Sequence, residues 1–222
     1  MNQMNYRELE ARYYMPAFSR EIMIERGSGS KVLDADGKEY IDCVAGIAVC
    51  STGHCHPEVI RAICEQAGRL IHCSNLYYVP GQAELARKLV SVCGMHKAFF
   101  ANSGAEANDG AIKLARIATG RKRFVAFTHG FHGRTLGSLS VTHKPAIREP
   151  FQPLEPACTF VEYGDSAGLE KAMDESVAAV FVEPIQGEAG VIIPPVEFIK
   201  SIRECCDATG ALMIADEVQT GM

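Results

Sequence analysis

The sequence predicts an α/β fold, a mostly parallel sheet with helices on both faces. Three observations carry this. Short apolar runs at 97–101, 123–127, 158–161, 178–182 and 211–215 alternate with helical stretches at 106–119, 166–175 and 196–209. Strands interleaved with helices are the pattern of a parallel sheet buried on both sides. Gly120 and Gly210 follow two of those stretches directly, where a helix stops in the left-handed conformation. Finally, polar segments follow four of the five runs, at 102–108, 128–135, 183–188 and 216–221, and each contains a glycine. Open α/β sheets bind ligands at the carboxyl ends of their strands, so four such segments imply one shared site.

In chain order, residues 1–30 read as an arm, with a helix near 5–14 and a break around Pro16. Residues 32–41 read as a hairpin, because Asp36-Gly37 supplies turn chemistry between two extended runs. His56-Pro57 opens a helix, since Pro suits the first helical position. Val59, Ile60, Ile63, Ala67 and Leu70 then recur at helical spacing. A second helix is expected over 82–92, ahead of the alternating region.

Composition bounds the function. The chain has 222 residues, 47% of them hydrophobic, enough for one domain with a sizeable core plus an accessory arm. A net charge of -5 provides no basic footprint for nucleic acid. Nine cysteines at 43, 50, 55, 64, 73, 93, 158, 205 and 206 are scattered, odd in number and lack any C-x-x-C pair. That is the pattern of reduced thiols. No signal peptide is expected, and the longest apolar run, 43–50, is too short to span a bilayer. A cytoplasmic protein is the expectation. The chain ends one residue past the loop after its fifth strand, so it is expected to be the N-terminal part of a longer enzyme.

The loops hold the candidate site residues. Ser103, Gly104 and Ala105 open a helix where small residues let an anion reach free backbone amides. An ordinary N-cap, with Glu106 completing a capping box, accounts for the same residues. No G-x-x-x-x-G-K-[ST] and no G-x-G-x-x-G after a strand occurs, so nucleotide and dinucleotide sites are not supported. Phe131 suits stacking on a flat ligand or an ordinary core position. His132 suits a hydrogen bond or a structural role. Arg134 suits bidentate capture of a carboxylate, or a solvated surface position. Asp216, at the tip of a buried strand, needs a positive partner to stay ionised. A protonated pyridine nitrogen would be one. At about 4 Å and an effective dielectric near 20 the attraction is roughly 4 kcal/mol, or about three pKa units. That is enough to keep a pyridinium, an electron sink, protonated at neutral pH.

The segments Asn102-Ser103-Gly104-Ala105-Glu106-Ala107-Asn108, Gly130-Phe131-His132-Gly133-Arg134-Thr135, Val182-Glu183-Pro184-Ile185-Gln186-Gly187-Glu188 and Ala215-Asp216-Glu217-Val218-Gln219-Thr220-Gly221, with Gly53-His54-Cys55-His56-Pro57 before them, resemble the class III pyridoxal-phosphate aminotransferases. The resemblance runs through essentially the whole chain. It implies the fold-type I architecture, a homodimer and pyridoxal 5'-phosphate as cofactor. Residues 1–50 would be an arm and hairpin belonging to a small domain. Residues 51–222 would be the first part of the large cofactor-binding domain. By the same resemblance Ser103, Gly104 and Ala105 hold the cofactor phosphate, Phe131 stacks on its ring, Glu183 supports the site, and His132 is counted among the cofactor-binding residues. Asp216 pairs with the ring nitrogen, Val218 packs on the opposite face and Gln219 bonds the phenolic oxygen. Arg134 takes a substrate carboxylate and Glu188 acts as a gate.

Within the family, residues 45–49, 72–78 and 102–104 resemble the branch that moves the amino group of N-acetylornithine to 2-oxoglutarate. Ile47 stands where the ornithine branch carries a substrate-binding tyrosine. The 4-aminobutyrate, ornithine and succinylornithine branches remain alternatives. The family's covalent lysine follows the Asp-Glu-Val-Gln-Thr-Gly segment by a few tens of residues, beyond Met222, and none of the nine lysines at 31, 38, 88, 97, 113, 122, 144, 171 and 200 follows the last strand. The chain by itself is therefore expected to be inactive and to aggregate through exposed apolar surface. Two other classes match parts of the sequence. An ATPase would use Asp216-Glu217 after an apolar strand but lacks a phosphate loop. A non-catalytic chain would dimerise or bind cofactor without turnover.

Overall fold

The computed structural model describes residues 3–221. The chain divides into two compact units, one ending at Val79 and the other starting at Pro80.

The first unit holds helix α1 (Gln3–Tyr13) and an antiparallel sheet of β1 (Ile24–Ser28), β2 (Lys31–Asp34) and β3 (Glu39–Ile41) in that order. The expected hairpin is β2–β3, in register Val32 against Tyr40 and Leu33 against Glu39. Its connection is ordered by Asp34, whose Oδ1 accepts from the Asp36 and Lys38 amides at 3.0 and 2.9 Å and whose Oδ2 accepts from the Tyr40 hydroxyl at 2.8 Å. Gly37 supplies the positive φ, at 84°. Strand β1 falls inside the region expected to be an arm. It forms because β2 offers it a second ladder edge, which no local pattern reveals. A one-turn segment α2 (Ala45–Ala48) follows, with φ positive at all four residues. Helix α3 (Pro57–Ala67) begins on Pro57 as expected, and its Val59, Ile60 and Ile63 remain exposed.

The second unit contains α4 (Pro80–Cys93), α5 (Gly104–Thr119), β4 (Arg123–Phe127), α6 (Leu136–Val141), α7 (Pro145–Arg148), a 3-10 turn (Glu149–Phe151), β5 (Cys158–Val161), α8 (Ser166–Ala172), β6 (Val177–Val182), α9 (Val196–Thr209) and β7 (Leu212–Ala215). The sheet order is β5-β4-β6-β7, and every neighbouring pair is parallel. Every residue of β6 is buried. Alternation along the strands sends Val125, Phe127, Val180 and Val182 to a core with Leu169, Phe198 and Ile202 of α8 and α9. Phe124, Ala126, Ala179 and Phe181 go to a second core with Ile112 and Ala115 of α5. Helices thus cover both faces, as the alternation predicted. Gly120 and Gly210 both close their helices at φ 70°.

Two expectations need correction. The apolar run at 97–101 forms no strand among the described residues. A strand needs a ladder partner, and this run pairs with neither edge of the sheet, leaving Phe99 78% exposed. Helix α8 stops at Ala172 rather than at 175. The Asp174 carboxylate instead accepts from Arg123 Nη2 at 2.6 Å and from the Ser176 amide at 2.7 Å, which turns the chain into β6. The short helices α6 and α7 were not anticipated.

Candidate functional site

The three loops that leave β4, β6 and β7 converge on the N-terminus of α5. Together they line a cavity of about 460 Å³ bounded by Ser103, Gly104, Ala105, Asn108, Phe131, His132, Gly133, Arg134, Thr135, Glu183, Asp216, Val218 and Gln219. Every cofactor-binding candidate from the sequence lies in this wall, and so does Arg134. Glu188 does not; it is exposed on the loop after β6.

At one end, Ser103 caps α5. Its Oγ accepts from the Glu106 amide at 3.2 Å, and Glu106 Oε2 accepts from the Asn102 amide at 2.8 Å. The capping box is therefore real, and it does not compete with anion binding. The Gly104 and Ala105 amides precede the first intrahelical bond, and the Ser103 hydroxyl retains its proton to donate. Gly104 permits a close approach: a Cβ there would lie 2.8 Å from Val218 Cγ2, which would have to shift. Gly133, at φ 128°, packs so tightly on Ala105 and Ser138 that a Cβ would overlap both.

At the other end stands Asp216, 8% exposed. Its Oδ2 accepts from His132 Nδ1 at 2.8 Å and Asn108 Nδ2 at 2.9 Å, and its Oδ1 accepts from the Val218 amide at 3.1 Å. Burial pushes the Asp216 pKa up, but the hydrogen bond and charge of His132, helped by Asn108 and the Val218 amide, hold it below the ordinary carboxylate value. Asp216 is thus a buried, ionised acceptor in the cavity wall. Glu183 behaves oppositely. Burial raises its pKa despite the Phe131 amide, which donates to Oε2 at 3.0 Å. His132, 3% exposed, packs on Phe181 at 5.4 Å between ring centroids, and its amide donates to Thr142 Oγ1 at 2.8 Å. The Gln219 carboxamide lies against Gly187.

Sequence reasoning missed four residues. Asn108 joins Asp216 to the His132 carbonyl. Thr142 anchors the His132 loop. The Tyr163 hydroxyl donates to the Glu183 carbonyl at 2.8 Å, and Gln186 Nε2 donates to the Thr128 carbonyl at 2.8 Å. Asn108 had a readable signal, since it lies one helical turn after Gly104 on the same face. The other three act across elements, and no local pattern marks them.

This wall offers open amides and a hydroxyl for a phosphate, an aromatic side chain and Val218 as apolar surfaces, and a buried anionic acceptor. The donor set fits a flat aromatic phosphate carrying a basic ring nitrogen, as pyridoxal phosphate does. It does not fit a metal ion, and no group of three or more His, Cys, Asp or Glu that could hold one occurs among the described residues.

Comparisons with known proteins agree. The chain is 54% identical over 216 residues to the acetylornithine aminotransferase of Methanosarcina acetivorans, covering 96% of this chain and 55% of that protein. It superposes on the ornithine aminotransferase of Toxoplasma gondii, a structure with partial occupancy of PLP at the active site, with a TM-score of 0.93 at 32% identity, covering 99% of this chain and 54% of that one. The N-acetylornithine aminotransferase of Stenotrophomonas maltophilia matches with a TM-score of 0.80 at 37% identity, covering 96% of this chain and 54% of that one. The chain therefore spans about half the length of the relatives it matches. The model of the family Aminotransferase class-III matches residues 14–222, and the chain belongs to that family of pyridoxal-phosphate-dependent transaminases.

Proposed function

We propose that this chain supplies the phosphate and ring-nitrogen contacts of a pyridoxal-phosphate aminotransferase that moves the amino group of N-acetylornithine to 2-oxoglutarate. The observation that carries this is the convergence of the α5 amides, Phe131 and the ionised Asp216 on one cavity. The relatives named acetylornithine aminotransferase support the choice of donor. When bound, the cofactor supplies an electron sink for bond breaking next to the transferred nitrogen. The residues of this chain do the holding. Ser103, Gly104 and Ala105 donate to the phosphate at the positive end of the α5 dipole. Phe131 and Val218 flank the ring, and Gln219 bonds its phenolic oxygen. Asp216 holds a proton on the ring nitrogen, with His132 keeping the carboxylate ionised. Glu183 buttresses the loop through the Phe131 amide. Arg134 takes a substrate carboxylate and Glu188 gates the entrance. None of the lysines of residues 1–222 lines the cavity, so we read these residues as holding the cofactor without bonding to it covalently.

We further read residues 1–50 as arm and small-domain hairpin and 51–222 as the opening part of the large domain. The whole enzyme is read as a cytoplasmic homodimer. Exposed apolar side chains in each unit, Ile63 and Tyr78 in the first and Phe99 in the second, support association. No described helix is long and apolar enough to cross a membrane. Titration of the chain with pyridoxal phosphate, followed by borohydride reduction, tests the reading. Saturable, phosphate-competed binding with no stoichiometric reduced adduct is expected. Absence of binding refutes the site, and a stoichiometric lysine adduct with turnover refutes the assignment of the lysine.

A further inference from the structure

We propose that Asn108 is a positioning residue that fixes the orientation in which the Asp216 carboxylate faces the cavity. The inference rests on the reading of the cavity as a cofactor site and adds a determinant to it. Asn108 is 6% exposed and sits in the second turn of α5. Its Nδ2 carries two hydrogens and makes two bonds, one to Asp216 Oδ2 at 2.9 Å and one to the His132 carbonyl at 2.8 Å. His132 Nδ1 reaches the same Oδ2 at 2.8 Å. A carboxylate oxygen has about two lone-pair sites, so Oδ2 is saturated. Among the described residues Oδ1 receives only the Val218 amide and keeps one acceptor position. Tilting the carboxylate out of this orientation would break two buried, charge-assisted bonds at once, so its remaining acceptor position stays fixed in direction.

The placement on α5 adds a second consequence. Gly104, whose amide faces the phosphate end, and Asn108 are four residues apart on one helix, about 6 Å along its axis at 1.5 Å per residue. A single rigid element therefore sets the separation between the anion-binding amides and the ring-nitrogen acceptor. An aspartate at 108 would have no donor for Oδ2 and would repel it. A leucine would leave both Oδ2 and the His132 carbonyl one donor short. A buried asparagine that merely satisfied packing would affect stability alone.

The test uses the full chain, Asn108→Leu, which nearly conserves volume, and two ligands: pyridoxine 5'-phosphate, and benzyl phosphate, which lacks the ring nitrogen. The expected result is an affinity for pyridoxine 5'-phosphate about tenfold weaker in N108L, with benzyl phosphate unchanged and no further selective loss when N108L is added to Asp216→Asn. Independently of any ligand, the carbon-13 titration of the Asp216 carboxyl should move to higher pH in N108L. His132 and Glu183, the titratable groups acting on Asp216, are left in place. Equal loss for both ligands with an unmoved Asp216 titration overturns the proposal. If neither ligand binds the unsubstituted chain, the cofactor reading fails. The Asp216 titration then decides alone, a raised midpoint supporting the positioning role and an unmoved one overturning it. Should N108L fail to fold, Asn108→Ser carries the same comparison.

Discussion

Replacing Asp216 by Asn tests the centre of the site with almost no change of shape. The carboxylate accepts three hydrogen bonds, two on Oδ2 and one on Oδ1. A carboxamide has only one accepting oxygen. Its cheapest orientation puts that oxygen in the Oδ2 position, keeping His132 and Asn108, and turns the amide nitrogen toward the Val218 N–H. One buried donor is then left facing another, and two charge-assisted bonds become neutral. The expected loss of stability is about 1–3 kcal/mol. The effect on ligand is larger and has a different signature. The cavity-facing atom changes from an anionic acceptor to a donor, so the variant can no longer hold a protonated ring nitrogen. With roughly 4 kcal/mol between such charges at effective dielectric 20 as a ceiling, affinity for pyridoxine 5'-phosphate at neutral pH should fall by about 10²- to 10³-fold, and benzyl phosphate should be little affected. Calorimetric titration of both ligands, with urea melts of both proteins, provides the measurement. Unchanged affinity for the pyridine ligand in a folded D216N chain would refute the assignment of Asp216.

Other perturbations follow the same logic. Gly104→Ala places a Cβ 2.8 Å from Val218 Cγ2. Because Val218 is 65% exposed it can move, so stability should change by less than about 1 kcal/mol, while cofactor affinity, measured by fluorescence titration, drops. Gly133→Ala is harsher, since φ is 128° and Ala105 and Ser138 occupy the space; a loss of about 2 kcal/mol or more in urea melts is expected. Arg121→Ala removes donors to the Val177 and Thr209 carbonyls, which tie β6 to the end of α9, and should cost about 1–3 kcal/mol without changing ligand affinity. The two site carboxylates should act in opposite directions with pH. The Asp216 pKa is lowered in the fold, so its contribution is complete above the ordinary value of 3.8 and fades as pH falls through the folded value. The Glu183 pKa is raised, so its contribution is complete below 4.5 and is lost as pH rises through the folded value. Glu183→Gln keeps an acceptor for the Phe131 amide and should therefore gain stability relative to the unsubstituted chain between pH 4 and 7; a steady loss over that range in urea melts would contradict the burial argument.

Local physics made much of this legible. Strands β4 to β7 were readable because each is a short apolar run bounded by turn or cap residues, and α5 and α9 because a glycine stops each one. The run at 97–101 looked the same and is not a strand. Apolarity reports burial tendency, whereas a strand exists only where another backbone is free to pair. Strand β1 failed in the opposite sense: Ile24-Glu25-Arg26-Gly27-Ser28 has no apolar alternation, yet β2 recruits it. At the site, the residue types of the four loops, three of which follow strands, were enough to nominate Ser103, Phe131, Arg134 and Asp216.

What the sequence by itself determined is the set of parts: alternating strands and helices, the small residues that open α5, and an acid at the tip of β7. Those depend on neighbours within a turn or two. Only the tertiary structure decided that Asp216 is ionised rather than neutral. That outcome depends on His132, 84 residues away, and Asn108, 108 residues away, reaching the same carboxylate oxygen. It also decided that Glu188 is exposed on the loop after β6 and not part of the cavity lining. A pKa, unlike a helix, is set by whatever the fold brings within a few ångströms, and no spacing along the chain records that.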